Sequence, residues 1–310
     1  MKVTQVHITI GQFEFDYVHQ IDITSGWESL TDNATIALPA ALKYDKNKLK
    51  DLIKKGDAVS ISYGYKPNMY KVFDGFVVAV KPSVPVVIEC EDLMWKLKQI
   101  TINDVAKNET IKSFLDRNLP DYEVDAFEVE LPKFIASNTT AAKVLDQIKS
   151  DFGLRSFIRG GKITVGKQYD PEYAVEKFVV LNETVKDDEL EYKSKDDVKI
   201  KITAISNMAN GQKHEVELGD PEGDERTLNF YNIPKSELEK IAQKESERLI
   251  YDGFRGSLEL FGEPFVRHGD ILTIQDNEES DKRGTYYIDE VTYSIGVGGF
   301  SQDVKLGARS

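Results

Sequence analysis

The segments "KGDAVSIS" (Lys55 to Ser62) and "HGDILTIQ" (His268 to Gln275) each place a Gly-Asp pair ahead of an apolar run, once in each half of the chain. Glycine reaches backbone conformations closed to other residues, and an aspartate carboxylate takes up free backbone amides. The pair therefore suits a tight turn that opens a β-strand. Phe73 follows Gly56 by 17 residues and opens "FDGFVV", while Tyr286 follows Gly269 by 17 and opens "YYIDEV". Equal spacing leads us to expect one hairpin built twice. His268, whose counterpart is Lys55, is read as part of a turn and not as a catalytic group.

The surrounding patterns extend this reading. Val6, Ile8 and Ile10 alternate with polar residues, and Phe13, Phe15 and Tyr17 resume after Gly11. Short strands follow about ten residues apart with Gly and Pro between them, the pattern of a barrel or sandwich. "LMWKLKQ" reads as a helical turn closing this unit. Residues 101–170 change character. Ile111, Phe114, Leu115 and Leu119 mark one helix face; Val144, Leu145, Ile148 and Phe152 mark another, with Gly153 as its C-cap. "LRSFIRGGKITVG" predicts a hairpin turning at Gly160-Gly161. Residues 171–197 are acidic and weakly patterned, and read as a connection with little regular structure. Strands then resume around one helix at about 235–252, with Ser236 and Glu239 as a capping box and Gly253 as its end. The expected fold is mainly β with an α+β insertion: a first β-barrel domain at 1–100, a small α+β domain at 101–170, and a second β-barrel domain at 171–310.

Charge narrows the function. With 40 Lys+Arg against 53 Asp+Glu, the net charge of −13 disfavours a broad electrostatic grip on nucleic acid or anionic membrane. The single cysteine, Cys90, excludes an intramolecular disulfide and a cysteine-based zinc site. No signal-peptide pattern opens the sequence, and no run approaches the roughly 18–20 apolar residues of a membrane-spanning helix.

Candidate chemistry is sparse. Glu89 and Glu91 in "IECEDLMW" share one face of a strand, about 7 Å apart by strand geometry, with Asp92 beside them. The pair reads as a solvated surface, since no aromatic sugar platform accompanies it. Cys90, on the opposite face, is expected in the core. His7, His19, His214 and His268 fall singly, without ligand spacing. "RGGKITVG" lacks phosphate-loop spacing and precedes a strand; "GDPEGDE" lacks a calcium-loop register; "YSIGVGGF" reads as a bulge or tight hairpin. No catalytic, cofactor-binding or metal-binding residue is assigned, and no cofactor is expected.

The stretches "KGDAVSISYGY", "KVFDGFVVAVKPSVPVVIECEDLMWKLKQ", "TTAAKVLDQIKSDFGLRSFIRGGKITVG", "FRGSLELFGEPFVRHGDILTIQ" and "GTYYIDEVTYSIGVGGFSQDVKLG" resemble, in this order, the baseplate hub proteins of contractile phage tails, including the late control D proteins. The hub part of type VI secretion spike proteins is similar. The resemblance implies two tail-tube-like β-barrels flanking an α/β domain, in a homotrimer with pseudo-sixfold symmetry. It also implies a non-enzymatic virion protein of the tail baseplate, assembled in the host cytoplasm. Its partners would be the tail tube protein, the central spike protein and the tape measure protein, with DNA passing the channel unbound. Because the sequence ends at Ser310, just after the second β-rich half, the spike is expected on a separate chain. Two alternatives from other classes stay open: a tail-associated carbohydrate- or peptidoglycan-degrading enzyme, and a monomeric protein-binding adaptor.

Overall fold

A computed structural model of the chain describes residues 4–39, 43–44, 47–65, 67–208, 210–277, 283–296 and 298–310. Its centre is a sheet of thirteen strands that curls into a half-barrel. In chain order these are β1 (Thr4–Ile10), β2 (Phe13–Phe15), β3 (Gln20–Gly26), β4 (Asn33–Leu38), β5 (Ala58–Tyr65), β6 (Asn68–Lys81), β7 (Val86–Asp92), β8 (Glu176–Val180), β9 (Val185–Asp188), β10 (Ser257–Leu260), β11 (Ile271–Gln275), β12 (Gly284–Gly296) and β13 (Gly299–Arg309). They run β9-β10-β13-β12-β3-β4-β7-β6-β5-β1-β2, with β11 also paired to β12 and β8 to β11.

The two β-rich halves are thus joined edge to edge. Residues 290–296 of β12 pair antiparallel with residues 20–26 of β3. Alternation explains why one face becomes a shared core. Ile8, Ile21, Ile36, Ile61 and Ile88 from the first half pack with Leu272, Ile288 and Val304 from the second, all essentially inaccessible to solvent. Stacked rings also cross the junction. Tyr63 lies on Phe300 with centroids 3.6 Å apart, Phe300 on Tyr293 at 6.2 Å, Tyr293 on Phe265 at 5.6 Å, and Phe265 on Tyr70 at 4.8 Å.

The Gly-Asp hairpin is built twice, as expected. Gly56 donates its amide to the Val77 carbonyl and Gly269 to that of Ile288, both at 2.8 Å. Val77 and Ile288 return amides to the carbonyls of Asp57 and Asp270 at 2.9 Å. The equal 17-residue spacing is not the true equivalence, however. Val77 lies 21 residues after Gly56, and Ile288 only 19 after Gly269. The first hairpin carries extra residues, with a bulge where Ile61 pairs Phe73 and Ser62 pairs Lys71. Phe73 and Tyr286 therefore occupy different positions.

Between the halves, the strands Thr101–Thr110 and Glu130–Thr140 form a two-stranded ribbon. Each runs straight into a helix, α1 (Ile111–Asn118) and α2 (Ala141–Phe152). The terminal threonines are the N-caps: Thr110 Oγ1 accepts from the Ser113 amide and Thr140 Oγ1 from that of Lys143. Gly153 ends α2 at φ +69°. Phe114, Leu145, Ile148 and Ile163 belong to the second core, beneath this insertion. The hairpin Arg155–Arg159/Lys162–Gly166 turns at Gly160 and Gly161, both with positive φ, as the sequence predicts.

Two expectations are corrected. Residues 171–197 are not structureless, since they supply β8, β9 and the strand Glu191–Lys193, which pair with β11, β10 and the strand Gly253–Arg255. Helix α3 (Lys235–Leu249) is already helical at Lys235, behind Pro234, so Ser236 lies inside the first turn and caps nothing. Its C-cap is Ile250, and Gly253 instead opens the next strand. Helix α3 packs on the three-stranded sheet of Ile200–Asn207, Lys213–Gly219 and Asp224–Tyr231, around a third small core of Ile202, Ala204, Leu238 and Ala242.

Candidate functional site

The turn at His268 is the meeting point of three parts of the molecule. Gly269 takes φ +81°, and Asp270 accepts the amides of Arg267 at 3.0 Å and Val175 at 3.2 Å. Asp57 does the same in the first copy, accepting the Lys54 amide at 2.8 Å. The Gly-Asp pair is a strand-opening turn in both places.

His268 has a further role with no counterpart at Lys55. It is 5% exposed, packs edge-on against Trp27 at 4.7 Å, and brings Nδ1 to 2.5 Å from Ser25 Oγ, 243 residues away. Ser25 donates its one hydroxyl proton to Asp32 at 2.8 Å, so Nδ1 of His268 must be the donor to Ser25. From the insertion, Arg159 donates to the His268 carbonyl at 2.9 Å. The cluster therefore ties the end of β3, the insertion hairpin and the second Gly-Asp turn together, beside a cavity of about 580 Å3.

The electrostatics follow from burial. Burial, with the positive Arg159 and Arg267 nearby, holds the His268 imidazole down to about 3, so it stays neutral. Burial raises Asp32 to about 6, against the pull of Ser25 and Arg159. Asp92, whose amide donates to the Asp32 carbonyl at 3.0 Å, is raised by burial and then by the Asp32 charge. This Ser-His-Asp set does not make a nucleophile. In a hydrolase the imidazole stands between hydroxyl and carboxylate; here the hydroxyl stands in the middle, with its proton committed to Asp32. The arrangement positions backbone.

The other sequence candidates are dispersed. Glu89 pairs with Lys81, and Glu91 with Lys98 at 2.5 Å, so each carboxylate has its own lysine. Cys90 points into the core at 2% exposure, and burial pushes its thiol up to about 12. His7 is exposed beside Asp16 at 2.9 Å, and His19 is exposed. Asp220 of "GDPEGDE" accepts the Glu222 amide in a turn. No group of three His, Cys, Asp or Glu suited to a metal occurs among the described residues, and no helix there is long and apolar enough to cross a membrane. Sequence reasoning missed Ser25, Asp32 and Arg159, which no spacing links.

The mainly β fold with its curled half-barrel sheet is shared with solved phage tail proteins. The tail protein of Neisseria meningitidis MC58 superposes with a TM-score of 0.69 at 15% identity, over 98% of this chain and 96% of that one. The 43 kDa tail protein of prophage MuSo2 from Shewanella oneidensis gives 0.66 at 14% identity, over 98% and 97%. A type VI secretion component of E. coli, itself described as similar to bacteriophage T4 tail proteins, gives 0.61 at 10% identity, over 98% and 77%. No family model matches the sequence, and no curated protein does.

Proposed function

We propose that this chain is a structural hub subunit of a phage tail baseplate or a related injection apparatus. In this reading three copies form a pseudo-sixfold ring that joins the hexameric tail tube to the central spike. The ring leaves a channel for the tape measure protein and DNA, and the protein resides in the virion tail without enzymatic activity. The observation that carries the reading is the duplicated hairpin in one continuous sheet, within a fold shared end to end with tail proteins. Two related half-units per chain allow a threefold ring to present six similar surfaces. We assign the tube-facing and trimer-forming contacts to the repeated hairpins, Gly56 to Val78 and Gly269 to Val291. The division into units at about 1–100, 101–170 and 171–310 belongs to the same proposal. The supporting roles of Lys81 and Lys98 at Glu89 and Glu91 favour the structural reading over the hydrolytic one. Electron microscopy of purified particles tests it. Rings of three chains with six similar lobes and an open centre are expected; isolated compact monomers would contradict it.

A further inference from the structure

Two like-charge rows of opposite sign stand on this chain; among the described residues the basic one has no ion pair and the acidic one is neutralised only in part. On the ribbon, Ala106 and Phe134 face the second core, so their neighbours Val105↔Ile135 and Lys107↔Lys133 lie on the outer face as directly opposed pairs. Val105 and Ile135 are 40% and 52% exposed, and neither lysine has an ion pair among the described residues. Opposed like charges weaken a strand pair, and exposed apolar side chains beside them add nothing to a monomer. Across the large sheet the register aligns Asp187 of β9 with Glu259 of β10, and Glu259 with Asp303 of β13. Lys186 pairs with Glu259 at 2.7 Å and holds its carboxyl below the ordinary value, while Asp187 and Asp303 have no ion pair among the described residues. Partial burial, and after it the negative charges of Glu259, Glu189 and Glu290, raise the Asp303 carboxyl above its ordinary value.

We propose that the ribbon face of one copy docks on the acidic row of a second copy of the same chain. Lys107 and Lys133 would meet Asp187, Glu259 and Asp303, while Val105 and Ile135 are covered. The lysine pair and the incompletely neutralised acidic row would relieve one another, and the two patches belong to different elements. Such a contact is heterologous, head to tail, and closes into a ring when the rotation between copies divides the circle. The inference rests on the ring reading above and adds, beside the repeated hairpins, a charged lateral surface of that ring.

Sedimentation velocity of the full chain over a range of concentrations tests it through charge exchange. The K107E/K133E variant should raise the concentration of half-association by at least about tenfold. The D187K/D303K variant should do the same, and the fourfold variant carrying both changes should recover association, which a folding defect would not allow. A V105S/I135S variant should weaken assembly without altering its salt dependence. Wild type that associates while K107E/K133E matches it would overturn the docking surfaces and leave the ring reading intact. A fourfold variant that stays dissociated would also overturn them. Wild type remaining a single chain throughout would overturn both.

Discussion

Tyr63 and Phe300 lie face to face at 3.6 Å and 14°, one from the first hairpin and one from the last strand. Their contact, within a longer run of stacked rings, holds together strands from opposite ends of the sequence. Tyr63 is 1% exposed and Phe300 6%. Phe300→Ala should therefore cost about 3–5 kcal/mol, from lost burial and stacking, with little change elsewhere. Urea denaturation monitored by tyrosine fluorescence checks this; a loss under about 1 kcal/mol would deny the stack its role.

Two glycines with nearly the same φ should differ sharply. Gly269 and Gly161 have φ of +81° and +83°. A Cβ at Gly269 would sit 3.0 Å from the Trp27 ring, whereas at Gly161 nothing lies within 4 Å. Gly161→Ala should cost about 1 kcal/mol, the backbone penalty alone. Gly269→Ala should cost about 1–3 kcal/mol more, because the junction around His268 must open. Equal denaturation midpoints would contradict the packing at Trp27.

The Cys90 thiol, buried and pushed up to about 12, should resist a thiol-specific disulfide reagent in the native state and react fully on denaturation. Rapid labelling of the folded protein at pH 8 would show that β7 opens locally.

The carboxylates at the junction give a pH dependence with a definite sign. Asp32 and Asp92 hold protons in the folded state at pH values where the unfolded chain has lost them. Their contribution to stability is full below the ordinary value of 3.8 and is lost as pH rises through about 6. Asp92→Asn, which mimics the neutral acid, should flatten this decline. The stability difference between wild type and variant should then fall steadily from pH 4 to pH 8. A difference constant with pH would contradict the assignment.

What the sequence disclosed, and what it did not, has a physical pattern. The Gly-Asp turns, the Gly160-Gly161 hairpin and helix α2 with its Gly153 cap were legible because each depends on residues adjacent in the chain. Strand β8 was not, since only Val179 among its five residues is buried, and so no alternation marks it. The capping box at Ser236 was an apparent signal overridden by Pro234, whose fixed φ starts the helix two residues earlier. The equal spacing of Phe73 and Tyr286 pointed to a true repeat through positions that are not equivalent. Least legible was the His268 cluster. Its members come from β3, the loop before β4, the insertion and the second half, and only the fold brings them together.

The central claim is that three copies make the working unit. Absolute mass by light scattering, at several high protein concentrations, tests it most directly. A three-copy unit gives a species of three times 35.1 kDa that grows with concentration and weakens with salt. A mass of 35.1 kDa at every concentration would contradict it.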